Sequence, residues 1–172
     1  MQQETLARIY LPGSYIAVDE CVVEFTGKSV LKTTIPNKPH LTGFKVWVIA
    51  ERGLFLRWIW HVLGRGLIGI SKAKPQVQEI YLNPTQQVVV SLVNLLPKAP
   101  YHVFLDNLFS SPSLFRILRA ASNGASGTAR MNSGLYIGLV EMKKKPDSSK
   151  PWGWIHSVPT LDGQVKTYFK LN

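Results

Sequence analysis

The chain contains a single cysteine, Cys21, in 172 residues. No internal disulfide can form, and a structural zinc site would have to be built from histidines and carboxylates. The four histidines, His40, His61, His102 and His156, show no paired spacing that would support one. Reduced thiol usage of this kind fits an intracellular compartment. Acid is also in short supply: ten Asp and Glu face twenty Lys and Arg, a net charge of +10. A globular domain this basic meets polyanions, and nucleic acid is the first candidate; the bland alternative is a basic but inert surface. No uninterrupted apolar run spans a bilayer. The most apolar stretch, 44–63, is broken by Glu51, Arg52, Gly53 and Arg57 and reads as a hairpin. The first residues, Met-Gln-Gln-Glu-Thr-Leu, lack the basic-then-apolar order of a secretory signal. Internal repeats and long low-complexity tracts are absent too.

What is present is a hydrophobic content of 45%, enough for the core of one compact domain. Residues 14–25 form a long Val- and Ile-containing strand, ended by Thr26-Gly27-Lys28. Residues 28–42 are basic and turn-rich, with two prolines in Ile35-Pro36-Asn37-Lys38-Pro39 that favour an extended loop. Residues 43–50 and 54–62 pair as a hairpin around Glu51-Arg52-Gly53. The glycine- and lysine-rich stretch 64–74 is an exposed loop. Asn83 and Pro84 open a helix whose apolar face is Val88, Leu92, Val93, Leu95 and Leu96, ended by Pro97. Residues 101–105 are continuously apolar, the pattern of a parallel strand covered on both faces. A second helix starts at Ser111-Pro112-Ser113, turns Leu114, Phe115, Ile117, Leu118 and Ala121 inward, and is capped by Asn123-Gly124. A short strand at 125–131 follows.

Three strands, then helix, strand, helix and strand, give a mixed sheet with helices against its faces. That is the order of a ribonuclease H-like fold. The expected organisation is a partial domain of this kind over 1–142, a polar loop at 143–151 and a tail over 152–172 with strands around Asp162-Gly163. Trp47, Trp58 and Trp60 in the hairpin read as packing residues rather than base-stacking ones.

Two acids stand where folding alone would not put them. Asp19 interrupts the first strand on a stripe with Ala17, Cys21 and Val23, and Asp106 ends the strand 101–105. Both are expected to be buried, and a buried carboxylate needs a hydrogen bond, a counter-charge or a metal. Singly, each is equally well read as a satisfied buried acid or a turn residue. If the two strands are parallel neighbours, their axes lie ~4.8 Å apart. The carboxylates would then converge on a pair of divalent ions, the arrangement used in phosphoryl transfer.

Six segments occur in order: Val18-Asp19-Glu20, Phe25-Thr26-Gly27-Lys28, Ile35-Pro36-Asn37-Lys38-Pro39, Gly43-Phe44-Lys45, Leu105-Asp106-Asn107-Leu108-Phe109-Ser110-Ser111 and Gly127-Thr128-Ala129-Arg130. The set resembles the catalytic domain of piggyBac-type transposases, from about Pro12 to the C-terminus. The resemblance implies Asp19 and Asp106 as the first two catalytic and Mg²⁺-binding aspartates. It implies Lys38, Lys45 and Arg130 as DNA contacts, and DNA as the partner in a nuclear, non-membrane setting. A homodimer or a full-length transposase is the further partner. The parent activity is DNA cleavage and strand transfer. A third catalytic Asp normally follows downstream in that family. Here the remaining acids are Glu141, at the end of a strand-like run, and Asp147 and Asp162 in a loop and a turn; Glu141 is the least poor substitute. The expectation is therefore a truncated or decayed copy, inactive alone, with a non-catalytic DNA- or protein-binding remnant as the alternative.

Overall fold

The computed structural model describes residues 2–34, 42–61, 80–145, 149–161, 163 and 165–170. The chain opens with a helix, α1 (Gln2–Ile9), which the residue pattern did not announce. It docks on the edge of the sheet through Gln3. Its side-chain amide donates to the Trp58 carbonyl at 3.2 Å and accepts from the Trp58 N–H at 3.1 Å, so one side chain pairs with the strand as a neighbouring strand would.

The first long strand, β1 (Tyr15–Glu24), pairs antiparallel with β3 (Thr42–Glu51). On the outer side of β3 lie the two-residue β2 (Thr33–Thr34) and the hairpin partner β4 (Leu54–Trp60). The β3–β4 turn puts Arg52 at φ 49° and Gly53 at φ 84°, two positive values in succession. Such turns match the right-handed twist of the strands they join. On the other side of β1 run β5 (His102–Leu105) and β6 (Gly124–Gly127), both parallel to their neighbours. The order across the six-stranded sheet is β2-β3-β1-β5-β6, with β4 also on β3. The strand, helix and crossover order expected from sequence holds.

Helix α2 (Pro84–Asn94) carries a reciprocal N-terminal cap: the Asn83 side chain accepts from the Gln86 N–H, and the Gln86 side chain accepts from the Asn83 N–H. Gln86 also donates to the Ser111 hydroxyl at 2.9 Å. That hydroxyl caps α3 (Pro112–Ala120) by accepting from the Leu114 N–H, so the starts of the two helices are tied together. At the far end of α2, Arg57 of β4 reaches across and donates to the Leu95 carbonyl. A cation there complements the helix dipole, in a helix whose own last turn has no basic residue.

Val88, Val89, Leu92 and Val93 of α2 and Leu114, Ile117 and Leu118 of α3 share one core with Ile16, Val18, Trp47, Ile49, Val103 and Leu105. Both helices therefore lie on a single face of the sheet, not on both as the sequence pattern suggested. On the other face, Val46 and Val48 are buried opposite Trp60 and Trp58. Over β1 and β5 that face is open, with Tyr15 68% and Phe104 45% exposed. The expectation that 101–105 is covered on both faces is thereby corrected. The apolar run arises because the open side carries Phe104, which packs on His102 and Tyr15 with ring centroids 4.9 and 6.2 Å away.

Three local readings also change. The C-cap of α3 is Ala121, Ser122 takes the left-handed conformation at φ 60°, and Asn123 is buried with its side-chain oxygen accepting from the Tyr101 N–H. Gly124 thus begins a strand instead of ending a helix. That strand stops at Gly127, short of residue 131. Glu141, expected at the end of a strand-like run, lies within α4 (Ile137–Lys144), which also absorbs the start of the anticipated polar loop. The tail forms its own two-stranded antiparallel sheet, β7 (Ile155–Pro159) and β8 (Lys166–Lys170). The anticipated loop at 64–74, with Arg65, Lys72 and Lys74, lies outside the described residues.

Candidate functional site

In the parallel pairing of β1 with β5, Tyr15 stands opposite His102, and the register advances to Val18 opposite Leu105. Continued one step past the last paired residues, the same register brings Asp106, the first residue after β5, level with Asp19. Alternation along each strand puts Ile16, Val18, Val103 and Leu105 in the core and Tyr15, Ala17, Asp19, Phe104 and Asp106 on the open face. The two acids therefore stand on one side of the sheet, Asp19 within β1 and Asp106 just past the end of the adjacent parallel β5. Both are exposed, which corrects the expectation of buried carboxylates. The error lay in taking the Ala17–Cys21–Val23 stripe as the inner one, when the helices pack on the stripe of Ile16 and Val18.

The two carboxylates are held in the same way. Asp19 Oδ1 accepts from the Glu20 N–H at 2.8 Å, and Asp106 Oδ1 accepts from the Leu108 N–H at 2.8 Å. Among the described residues Oδ2 of each takes no hydrogen bond. The turn after β5 is further pinned by the Asp106 carbonyl, which accepts from the Ser110 N–H at 3.2 Å and the Ser110 hydroxyl at 2.8 Å. Phe109, fully buried, meets Trp47 edge-on at 5.7 Å and anchors the same turn to the core.

Gly127 completes the support. A methyl group there would run into the Leu105 carbonyl oxygen and the Ser110 hydroxyl. Only a residue without a side chain lets β6 close on the end of β5 at this point. Gly127→Ala is expected to destabilise the protein by about 1–3 kcal/mol, since the Leu105 carbonyl is backbone and cannot step aside. Urea unfolding would read it, and a midpoint equal to wild type would refute the close approach.

The basic residues separate. Arg130 lies three residues beyond β6, and its Nε donates to Asn107 Oδ1 at 3.2 Å, which brings its guanidinium to the Asp106 turn. Lys45, opposite Val22 in the β1–β3 register, is on the helix-bearing face, with Nζ 4.1 Å from the centre of the Trp47 ring. It therefore faces away from Asp19. Burial and the Lys45 charge both lower the pKa of His61, whose ring meets Trp47 edge-on. Lys38 lies outside the described residues. Among the described residues no group of three His, Cys, Asp or Glu side chains gathers to hold a metal.

The sequence did not single out Tyr15, His102 and Phe104 as one open-face group, nor Asn107 as the partner of Arg130. The signal was the spacing: His102, Phe104 and Asp106 are two apart, as are Tyr15, Ala17 and Asp19.

The family model described as Transposase IS4, a DDE transposase family, matches residues 2–151. The chain belongs to this family. It is 28% identical over 120 residues to the human PiggyBac transposable element-derived protein 2, a match covering 67% of this chain and 19% of that protein. A piggyBac transposase solved by cryo-electron microscopy as a synaptic complex with hairpin DNA superposes with a TM-score of 0.70. It is 22% identical and the match covers 91% of this chain and 30% of that one. Together these mark a piggyBac-type transposase domain with the ribonuclease H-like nuclease fold. The chain spans about a fifth of the curated relative and under a third of the solved one.

Proposed function

We propose that this domain is the DNA-processing part of a piggyBac-type transposase, with Asp19 and Asp106 as its metal-binding catalytic pair. The observation that carries this reading is the placement of both acids on one open face of neighbouring parallel strands. Mg²⁺ prefers hard oxygen ligands and is commonly held by one or two carboxylates plus substrate phosphates. Two carboxylates, each with one oxygen tethered to backbone and one left over, suit that donor set. When bound, the ion supplies charge neutralisation at a phosphodiester and an acidified nucleophile. The chain's own residues do the positioning. The Asp106 turn, fixed by Ser110 and Phe109, holds one carboxylate at the end of β5, and the middle of β1 holds the other. Arg130, beside Asn107, supplies a guanidinium for a DNA phosphate at the same edge. Lys38 and Lys45 are further DNA contacts in this proposal, with Lys45, on the helix-bearing face, meeting DNA away from the Asp19 edge.

The substrate is DNA, the setting nuclear, and a second transposase chain the protein partner. The 172 residues alone bind DNA and a divalent ion without completing cleavage, since two carboxylates hold and place Mg²⁺ poorly without a third. The test is a nicking assay on transposon-end DNA with and without Mg²⁺, run beside salt-dependent binding. The expected result is binding that weakens steeply with salt and no nicking. Robust Mg²⁺-dependent nicking that disappears in Asp19→Asn would refute the inactivity. Binding absent at low salt would refute the DNA reading altogether.

A further inference from the structure

Beside the Asp106 turn lies a cavity of about 260 Å³, bounded by the start of α3, the residues after β6, α4 and β8. Ser110, whose hydroxyl donates to the Asp106 carbonyl, lines it, so the cavity and the carboxylate edge share a wall. Phe115 and Met131 contribute an aromatic ring and a thioether, and Lys143 and Lys166 stand at its lining with both side chains exposed. Among the described residues no acid lines it. The volume is just below the roughly 300–1,000 Å³ of drug-sized ligand sites, which suits one ring system and not a longer chain. The Phe115 ring in the lining favours a planar ring, since every base offers a face for stacking on an aromatic side chain. The two lysines in the lining favour a ligand that carries phosphate.

We propose that this cavity receives one unpaired base of the DNA strand held at Asp19 and Asp106, with Lys143 and Lys166 on that nucleotide's phosphates. The proposal rests on the DNA-processing reading and deepens it. A base inside a duplex cannot enter such a pocket, so the strand must be single-stranded or the base unstacked at this point. The pocket thus selects DNA whose pairing is already open next to the scissile bond.

The experiment uses three fluorescent DNAs: a blunt duplex, the same duplex with a three-nucleotide single-stranded extension, and that extension with abasic residues. Anisotropy titrations with the wild-type chain are expected to show the extended duplex bound about tenfold more tightly than the abasic one. Ala129→Phe, which fills the cavity from its wall, is expected to erase that difference and leave blunt-duplex affinity within twofold. Met131→Trp, at a position 45% exposed, repeats the test at a site where folding tolerates a larger side chain. A thermal melt checks that each variant is folded. If both folded variants keep the tenfold preference, or the wild type has none while binding the blunt duplex, the pocket proposal is overturned and the DNA reading survives. If the wild type binds none of the three, both are overturned.

Discussion

Phe109→Ala is expected to cost about 3–5 kcal/mol, the range for removing a large aromatic from a well-packed core. The side chain is fully buried, and its ring meets Trp47 edge-on at 5.7 Å. Aromatic pairs of that geometry add to the area term. Phe109 belongs to a core that draws residues from three directions. Trp47 belongs to the central strand pair, Leu105 to the end of β5, and Leu114 to the first turn of α3. The loss should also be felt at the surface. Phe109 lies three residues after Asp106, and its N–H donates to the Asp106 carbonyl at 3.4 Å. Chemical denaturation gives the stability, and hydrogen exchange of the Leu108 amide, which donates to Asp106 Oδ1, reports the turn. A loss under 1 kcal/mol, with that amide as protected as in wild type, would show that the turn stands without its anchor.

That anchor illustrates which parts of the structure could be read from the residues. The β3–β4 hairpin and α2 were legible because their signals are local: Glu51-Arg52-Gly53 between two apolar runs, and Asn83-Pro84 ahead of an apolar face at helical spacing. The parallel approach of β1 and β5 was legible from element order, since a strand–helix–strand crossover leaves few other arrangements. The side of the sheet on which the acids sit was not. In β1 both stripes carry apolar residues, Ile16 and Val18 on one, Ala17, Cys21 and Val23 on the other. Which stripe is inner depends on where α2 and α3 pack, and that is decided by residues about seventy to a hundred positions away. The same non-local choice leaves Phe104 on the surface within an unbroken apolar run. The C-cap at Ala121 was missed for a different reason. Asn123-Gly124 has the composition of a helix end, but Asn123 is used by the Tyr101 N–H and Gly124 by the close approach of His102. For Lys45 the motif carried no orientation: the ammonium lies 4.1 Å from the centre of the Trp47 ring, on the opposite face from Asp19.

The carboxylate pair makes the second large prediction, and it separates a metal site from a pair of ordinary turn and strand acids. Two like charges at the facing edges of strands whose axes lie roughly 5 Å apart repel by on the order of 1 kcal/mol in a water-like dielectric. Without divalent ions, Asp19→Asn and Asp106→Asn should therefore be neutral or slightly stabilising. Asparagine keeps the side-chain oxygen that accepts from the Glu20 or Leu108 N–H, so the local backbone survives. Adding Mg²⁺ reverses the order. An ion that binds only the folded state stabilises it in proportion to the logarithm of its concentration over Kd, about 1.4 kcal/mol at ten times Kd. For a chain of this size that raises the Tm by roughly 3–5 °C. The wild type should show this rise and each asparagine variant should lose most of it, with Ca²⁺ a weaker substitute if the site demands compact octahedral ligands. Were these acids merely a capped turn and a surface strand residue, Mg²⁺ would shift wild type and variants alike. Equal shifts in all three proteins would remove the metal from Asp19 and Asp106. The register that sets them side by side would then be a feature of the fold alone.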